Sequence, residues 1–346
     1  MKDSFNIAIA GATGYVGLEL IKILSRHSKV KILYLCAKKS VGKKIYDFDR
    51  RIVKKDLPRI SKIKKIEWNK VNILFTALPN GEAQKIAKIL PSHVKLIDLS
   101  ADFRLNDFKL YKKWYGINHN SKKLINKSIY AITEFSRKQL SIHNIISCPG
   151  CYPTSIQIPL IPLIKKKMIN VKNIIIDAKS GITGAGKSNV TENLFSEINN
   201  SLRPYKIAKH KHLDEIEHCI SKFSEKKKVN VSFTPHVIPI NRGISTNIYL
   251  KLKKGKNINN VRNLFKKNNF TFLKLLETNK IPKINDVVGT NYCFFNIFQD
   301  RIKRRIILIS VIDNLIKGAV GQAIQNMNLK YNFKEDEGLS FNPIFP

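Results

Sequence analysis

The 346-residue chain is long enough for about two domains, and 43% hydrophobic with 25% charged residues reads as a soluble globular enzyme. No apolar run reaches the roughly 18 residues of a membrane span, and MKDSFNIAIAGATG enters a strand at once without a signal-peptide layout, so the cytoplasm is the expected compartment. The formal net charge of +37 admits a nucleic-acid-binding protein, but the lysines lie in dispersed short runs (KKSVGKK, KIKK, KKK) that favour a general bias, with anionic ligands drawn by the field.

FNIAIAG is a strand, followed by a glycine-rich turn and a helix from Tyr15 to about His27. VKILYLC, NILFTAL and KLIDLSA are the next three strands. Short β-branched runs separated by helices predict an α/β fold with a Rossmann-type, doubly wound parallel sheet. The turn reads Gly11-Ala-Thr-Gly14-Tyr-Val-Gly17. Glycines between a first strand and a first helix bring backbone N–H groups close to a pyrophosphate, and the helix N-terminus adds partial positive charge. Gly11, Thr13, Gly14, Tyr15, Val16 and Gly17 are therefore candidate cofactor contacts. NAD enzymes place an acid about 20 positions on. Here the second strand ends in Cys36-Ala-Lys38-Lys39-Ser40, whose cations and hydroxyl suit a 2′-phosphate, so NADP(H) is expected.

Cys148-Pro-Gly-Cys151-Tyr-Pro-Thr154 precedes a long apolar helix, SIQIPLIPLIKK. Strand-like runs follow at NIIIDAK, VNVSFTPHVIPI, STNIYLKL, TFLKLLE and RRIILISVID, predicting a second α+β domain with a large mixed or antiparallel sheet. KGAVGQAIQNMNLKY closes the chain as a helix. Five scattered cysteines (Cys36, Cys148, Cys151, Cys219, Cys293) argue against a disulfide framework. C-x-x-C can be a redox pair, half a zinc site, or a catalytic cysteine beside an incidental one. The thioredoxin-like context and the second metal-ligand pair are missing, so no metal is expected. A cysteine at a helix N-terminus becomes a better nucleophile, which favours Cys151.

The chain resembles the N-acetyl-γ-glutamyl-phosphate reductase family of the semialdehyde dehydrogenase superfamily. The resemblance rests on GATGYVG at 11–17, DLSADFRL at 98–105, PGCYPT at 149–154, DAKSGITGAGK at 177–187, FTPHVIPINRGI at 233–244 and DNLIKGAVGQAIQN at 313–326, and it covers nearly the whole chain. It implies NADPH-dependent reduction of an acyl phosphate to an aldehyde through a thioester on Cys151. It also implies a homo-oligomer, either dimer or tetramer, without nucleic-acid or membrane partners. The family's H-x-H-x-x-E-I segment appears as His210-Lys-His212-Leu-Asp-Glu215-Ile. Both histidines are catalytic candidates, with His212 taken as the base and His210 as a substrate or structural contact. Arginine suits the carboxylate and phosphate of such a substrate, making Arg104 the first candidate ligand, then Lys187 and Arg242, with Glu134 also assigned to the substrate. Ser180 and Gly181 open a glycine-rich cluster assigned to the cofactor, and Asn314 is expected against the nicotinamide carboxamide.

Two departures stand out: Cys148 replaces the family's usual Asn, and Tyr130-Ala-Ile-Thr-Glu134 replaces Tyr-Gly-Leu-Pro-Glu. Cys148 raises the prospect of a reversible disulfide with Cys151. The expected domains are 1–150 with 314–346 for NADP, and 151–313 for catalysis and dimerisation. A carrier-linked aminoadipyl phosphate is an alternative substrate; aspartyl phosphate is disfavoured by the H-x-H-x-x-E-I and DLSADFR segments.

Overall fold

Strands buried on both faces explain why the first apolar runs lack alternation: β1 (Phe5–Ala10) is buried from Ile7 onward, and all of β4 (Ile73–Thr76) is buried. The computed structural model describes residues 4–54, 56–187, 190–225, 228–339 and 342–344. It divides into two units, residues 1–149 with 319–339, and residues 150–318 with 340–346.

The first unit also holds β2 (Val30–Cys36), β3 (Ile60–Ser61), β5 (Lys95–Asp98), β6 (Ser128–Tyr130) and β7 (Ile145–Ser147). These strands form one parallel sheet in the order β3-β2-β1-β4-β5-β7-β6. Succession reverses between β1 and β4, the switch point at whose carboxyl edge ligands bind in such sheets. The first helix (Tyr15–Leu24) stops before His27. His27 is buried instead, with Nε2 3.0 Å from the Asn328 amide oxygen. The last helix (Gly321–Lys330) follows a π-helical turn (Ile316–Val320) and belongs to this unit. Its Asn326 accepts a hydrogen bond from Thr133 Oγ1 at 2.7 Å and donates one to the Ala131 carbonyl at 3.2 Å. The unit boundary therefore falls at 319 rather than 314. The chain end goes with the second unit, where Ile344 donates its N–H to the Val288 carbonyl at 2.8 Å.

The second unit contains β8 (Ile169–Gly181), β9 (Arg203–Pro204), β10 (Val231–Ile238), β11 (Ile244–Leu252), β12 (Leu273–Leu275), β13 (Cys293–Gln299) and β14 (Arg305–Ile312). Their mixed sheet runs β12-β13-β14-β11-β8-β10-β9. β11 alternates buried and partly exposed residues, the signature of a sheet whose two faces differ. The helix Cys151–Lys165 packs on one face. On the other, cross-strand register aligns Phe298, Ile307, Tyr249 and Ile175 in one row, and Ile175 is 48% exposed.

The helix Cys151–Lys165 is almost wholly buried and carries Pro159 and Pro162 in its interior. Proline removes the N–H that would bond four residues back. For Pro159 that acceptor is the Ser155 carbonyl, and Ser310 Oγ on β14 donates to it at 2.7 Å. The break in the helix ladder thus becomes a tie to the sheet.

Candidate active site

In the first unit, the loop after β1 turns back on itself. Gly11 and Ala12 both donate their N–H to the Cys36 carbonyl, at 2.9 and 3.1 Å. Gly11 adopts φ +94°, and a Cβ there would lie 2.2 Å from the Ala77 carbonyl oxygen. A Cβ on Gly17 would come within 2.1 Å of Gly11 O, so the helix packs directly on the loop. Gly14 differs, since a Cβ there would meet only Gly11 O, at 3.7 Å. Gly14 starts the first helix, whose first turn carries no acidic residue and no side-chain cap. Two glycines are closed by packing while the middle one lies open at a helix N-terminus, which fits a pyrophosphate. Thr13, Tyr15 and Val16 lie on the same segment. Lys38 follows β2 with a 75% exposed side chain, 3.2 Å from Glu82 Oε2. Lys39 is exposed, and Ser40 sits at φ +71°.

In the second unit, Cys151 is the first residue of its helix and half-buried. The N-terminal end of a helix favours an anion such as a thiolate. Gly150 precedes it, accepting from both the N–H and the hydroxyl of Thr154 at 2.9 Å. Its own N–H donates to Glu215 Oε1 at 2.7 Å. Glu215 and His212 lie three residues apart on the helix His212–Lys222, hence on one face. A single helix therefore presents a buried histidine and grips the residue before the cysteine.

The two histidines differ in their bonding. His210 Nδ1 accepts the backbone N–H of His212 at 3.1 Å, and its Nε2 stands 3.3 Å from Tyr205 Oη. Burial, with help from Lys211 and Lys206, pushes its pKa down to about 3, so the ring is neutral. Both ring nitrogens of His210 are thus engaged. Tyr152, next to the cysteine, packs edge-on against His210, His212 and Phe233, with centroids 5.7, 6.1 and 5.4 Å away.

Two profiles of one protein family match the chain: the semialdehyde dehydrogenase NAD-binding domain over residues 6–143, and the semialdehyde dehydrogenase dimerisation domain over 151–314. A probable chloroplastic N-acetyl-γ-glutamyl-phosphate reductase of Oryza sativa is 42% identical, covering 99% of this chain and 83% of its own length. The N-acetyl-γ-glutamyl-phosphate reductase of Ehrlichia canis is 41% identical, with full coverage of both chains. The chain belongs to the N-acetyl-γ-glutamyl-phosphate reductase family. Among solved structures, aspartate semialdehyde dehydrogenase II of Vibrio cholerae superimposes with a TM-score of 0.74 at 18% identity, over 96% of this chain and 99% of that one. The Candida albicans enzyme with NADP gives 0.69 at 16%, covering 94% and 98%. These two share the fold.

Several positions expected in this reductase family to touch ligands have structural partners. Arg104 is buried, donating from Nε to the Cys148 carbonyl at 2.9 Å and from Nη2 to the Leu99 carbonyl at 3.0 Å. Glu134 is buried in the first unit and accepts from Gln325 Nε2 at 3.3 Å. In the second unit, Asn314 accepts from the Gly243 N–H at 2.7 Å and donates to Thr183 Oγ1 at 3.0 Å, tying the glycine-rich loop to β11. Ser180 and Gly181 end β8, with Ser180 Oγ donating to the Gly181 carbonyl at 3.0 Å. Arg242 Nη1 lies 3.4 Å from the buried Asp313 carboxylate. Lys187 is exposed.

Cys148 is no second nucleophile. Burial pushes its thiol up to about 12, with Asp98 adding to the rise. It and Cys151 are both free thiols. Among the described residues no cluster of His, Cys, Asp or Glu is arranged to hold a metal, and no helix is long and apolar enough to cross a membrane. Glu215 is the Glu of the H-x-H-x-x-E-I segment, whose spacing alone does not reveal its bond to Gly150, and no sequence pattern singles out Tyr205.

Proposed function

We propose that the chain catalyses the NADPH-dependent reduction of N-acetyl-γ-glutamyl phosphate to N-acetylglutamate 5-semialdehyde and phosphate. The observation that carries this reading is Glu215 gripping Gly150 from the same helix face as His212. Nucleophile and base are thereby referenced to one another. The names of the full-length relatives supply the substrate.

Cys151 Sγ attacks the γ-carbonyl carbon while His212 takes the thiol proton. The carbon–oxygen bond to phosphate breaks, and a thioester remains on Cys151. Splitting the reaction this way separates expulsion of phosphate from reduction. The glycine loop, with Lys38, Lys39 and Ser40 at the 2′-phosphate, would hold NADPH, which when bound would supply the hydride for the thioester carbon. The hemithioacetal oxyanion that results collapses to the aldehyde carbonyl as the carbon–sulfur bond breaks, and His212 returns its proton to the departing Cys151 sulfur. His210 stays neutral and supports this exchange without taking part in it. Ser180, Gly181 and Asn314 are assigned to the cofactor, Asn314 holding its loop through two bonds. Lys187 and Arg242 are the remaining cations for the substrate's anionic groups, and Arg104 and Glu134 act through the backbone and helix they hold.

NADPH consumption with N-acetylglutamyl phosphate tests the reading. Cys151→Ser should lose at least about a thousandfold in kcat; full activity in that variant would defeat the mechanism. The net charge of +37 favours one alternative, a substrate presented on an acidic carrier protein. Turnover of carrier-linked aminoadipyl phosphate in preference to the free substrate would establish it. The row Phe298–Ile307–Tyr249–Ile175 offers the apolar face for a homodimer, and light scattering of Ile307→Asp as a monomer would support that. Five free thiols suit a reducing compartment, the cytoplasm.

A further inference from the structure

We infer that Tyr205 is a positioning residue for this reaction, acting through His210 on the backbone that carries His212. The inference rests on His212 being the base.

The argument starts from an orphan donor. His212 is the first residue of its helix, so its N–H has no partner within that helix, and no side chain of Lys211 caps the end. The ring of His210 supplies the acceptor, through Nδ1 at 3.1 Å. An Nδ1 that accepts an N–H carries no proton, so the proton of the neutral ring is on Nε2. That proton points to Tyr205 Oη, 3.3 Å away. Tyr205 Oη is thereby the acceptor of this pair. The neighbouring Tyr152, edge-on to His210, is held separately, its hydroxyl donating to the His236 carbonyl at 2.9 Å.

Both hydrogens then run one way, from His212 N–H to the ring of His210 and from that ring to Tyr205. Reversing one link would set two donors or two acceptors face to face. The direction fixes the tautomer of His210, and the tautomer fixes the cap on His212. Tyr205 itself is anchored by its N–H to the Pro235 carbonyl at 3.1 Å. The turn leading from it to His210 holds Lys206 and Ala208 in the left-handed region, at φ +45° and +53°. Such backbone persists only where the surrounding bonds enforce it. Here they return the chain so that Tyr205 meets His210.

Tyr205→Phe keeps the ring and removes only the oxygen. It should lower kcat about ten- to a hundredfold, the range expected for a misplaced catalytic group, with KM for the acyl phosphate nearly unchanged. In 15N spectra of the imidazoles, His210 should be a single Nε2–H tautomer in the wild type and an exchanging mixture in the variant. A merely structural tyrosine would not alter that signature. An unchanged His210 spectrum, or an unchanged kcat, would overturn the inference. His212→Asn, assayed alongside, should be inactive. Full activity there would instead remove the base assignment, and the inference with it.

Discussion

Gly318 lies directly behind Cys151, so that a Cβ added to it would stand 2.8 Å from Cys151 Cβ and 3.2 Å from its Cα. Neither atom is the far end of a flexible side chain, so Gly318→Ala must displace the start of the cysteine's helix. A shift of about 1 Å at a reacting group costs on the order of a hundredfold in rate. Gly318→Ala should therefore fold and lose about that much kcat, read by steady-state kinetics alongside a thermal melt. Unaltered kinetics would show that the helix yields without moving the sulfur.

The two cysteines of the C-x-x-C segment should label very differently. Iodoacetamide reacts with thiolates; Cys148 is fully buried with its thiol raised to about 12, and Cys151 is half-buried at a helix N-terminus. At pH 8 the native enzyme should be alkylated on Cys151 and spared at Cys148, as peptide mass spectrometry would record. Equal labelling would restore Cys148 as a competing nucleophile.

Arg104 should matter to stability more than its expected role as an anion ligand implies. Its two bonds to the Cys148 and Leu99 carbonyls are charge-assisted and buried. Such bonds contribute about 1.5–3 kcal/mol each, and a carbonyl left without its donor adds to the loss. Arg104→Met should lower the free energy of unfolding by roughly 2–4 kcal/mol, and Arg104→Lys by nearly as much, because one ammonium cannot reproduce the guanidinium fork. Chemical denaturation checks this. A change confined to KM, with stability intact, would return Arg104 to the substrate.

Asp98 is fully buried, and burial raises its carboxyl to about 6 from 3.8. A carboxyl raised in the folded state favours folding while it is protonated, and that contribution is lost as pH climbs through about 6. Ionised Asp98 is therefore a burden at neutral pH, worth at most about 3 kcal/mol from linkage. Asp98→Asn should be neutral at pH 4 and stabilising by about 1–3 kcal/mol at pH 7. Urea denaturation at both pH values gives the difference, and a variant less stable at pH 7 than at pH 4, relative to wild type, would contradict the assignment.

Much of this architecture is visible in the order of residues. The strand–glycine loop–helix succession is local and therefore readable, as is the cysteine beside a long apolar run. The two- and three-residue strands β3, β6 and β7 are too short to show a period. β13, Cys293–Gln299, gives no clear strand pattern in the sequence although it is seven residues long. Its apolar run lacks alternation, because Asn296 is buried on the face where its neighbours are partly exposed, its amide donating to the Glu277 and Lys280 carbonyls. At the site, residue types were legible and the direction of hydrogen bonds was not. Arginine at a sheet's carboxyl edge suggests an anion, and only the fold reveals that the guanidinium turns onto backbone carbonyls. The spacing of His210 and His212 suggests that they diverge, yet their ring centroids lie 4.7 Å apart because His210 precedes the helix that His212 begins, and the division of labour between them depends on Tyr205, brought back by a turn no pattern announces.

The last helix has a consequence for synthesis. Gln325 and Asn326 complete contacts with Glu134, Thr133 and Ala131, nearly two hundred positions earlier. A ribosome that has released the first 149 residues has delivered all seven strands of the parallel sheet, yet the last helix of that unit is still untranslated. The nucleotide-binding half is thus the first to begin folding yet stays unfinished until most of the other half has been made, and a message cut short before residue 319 leaves that half without its closing helix.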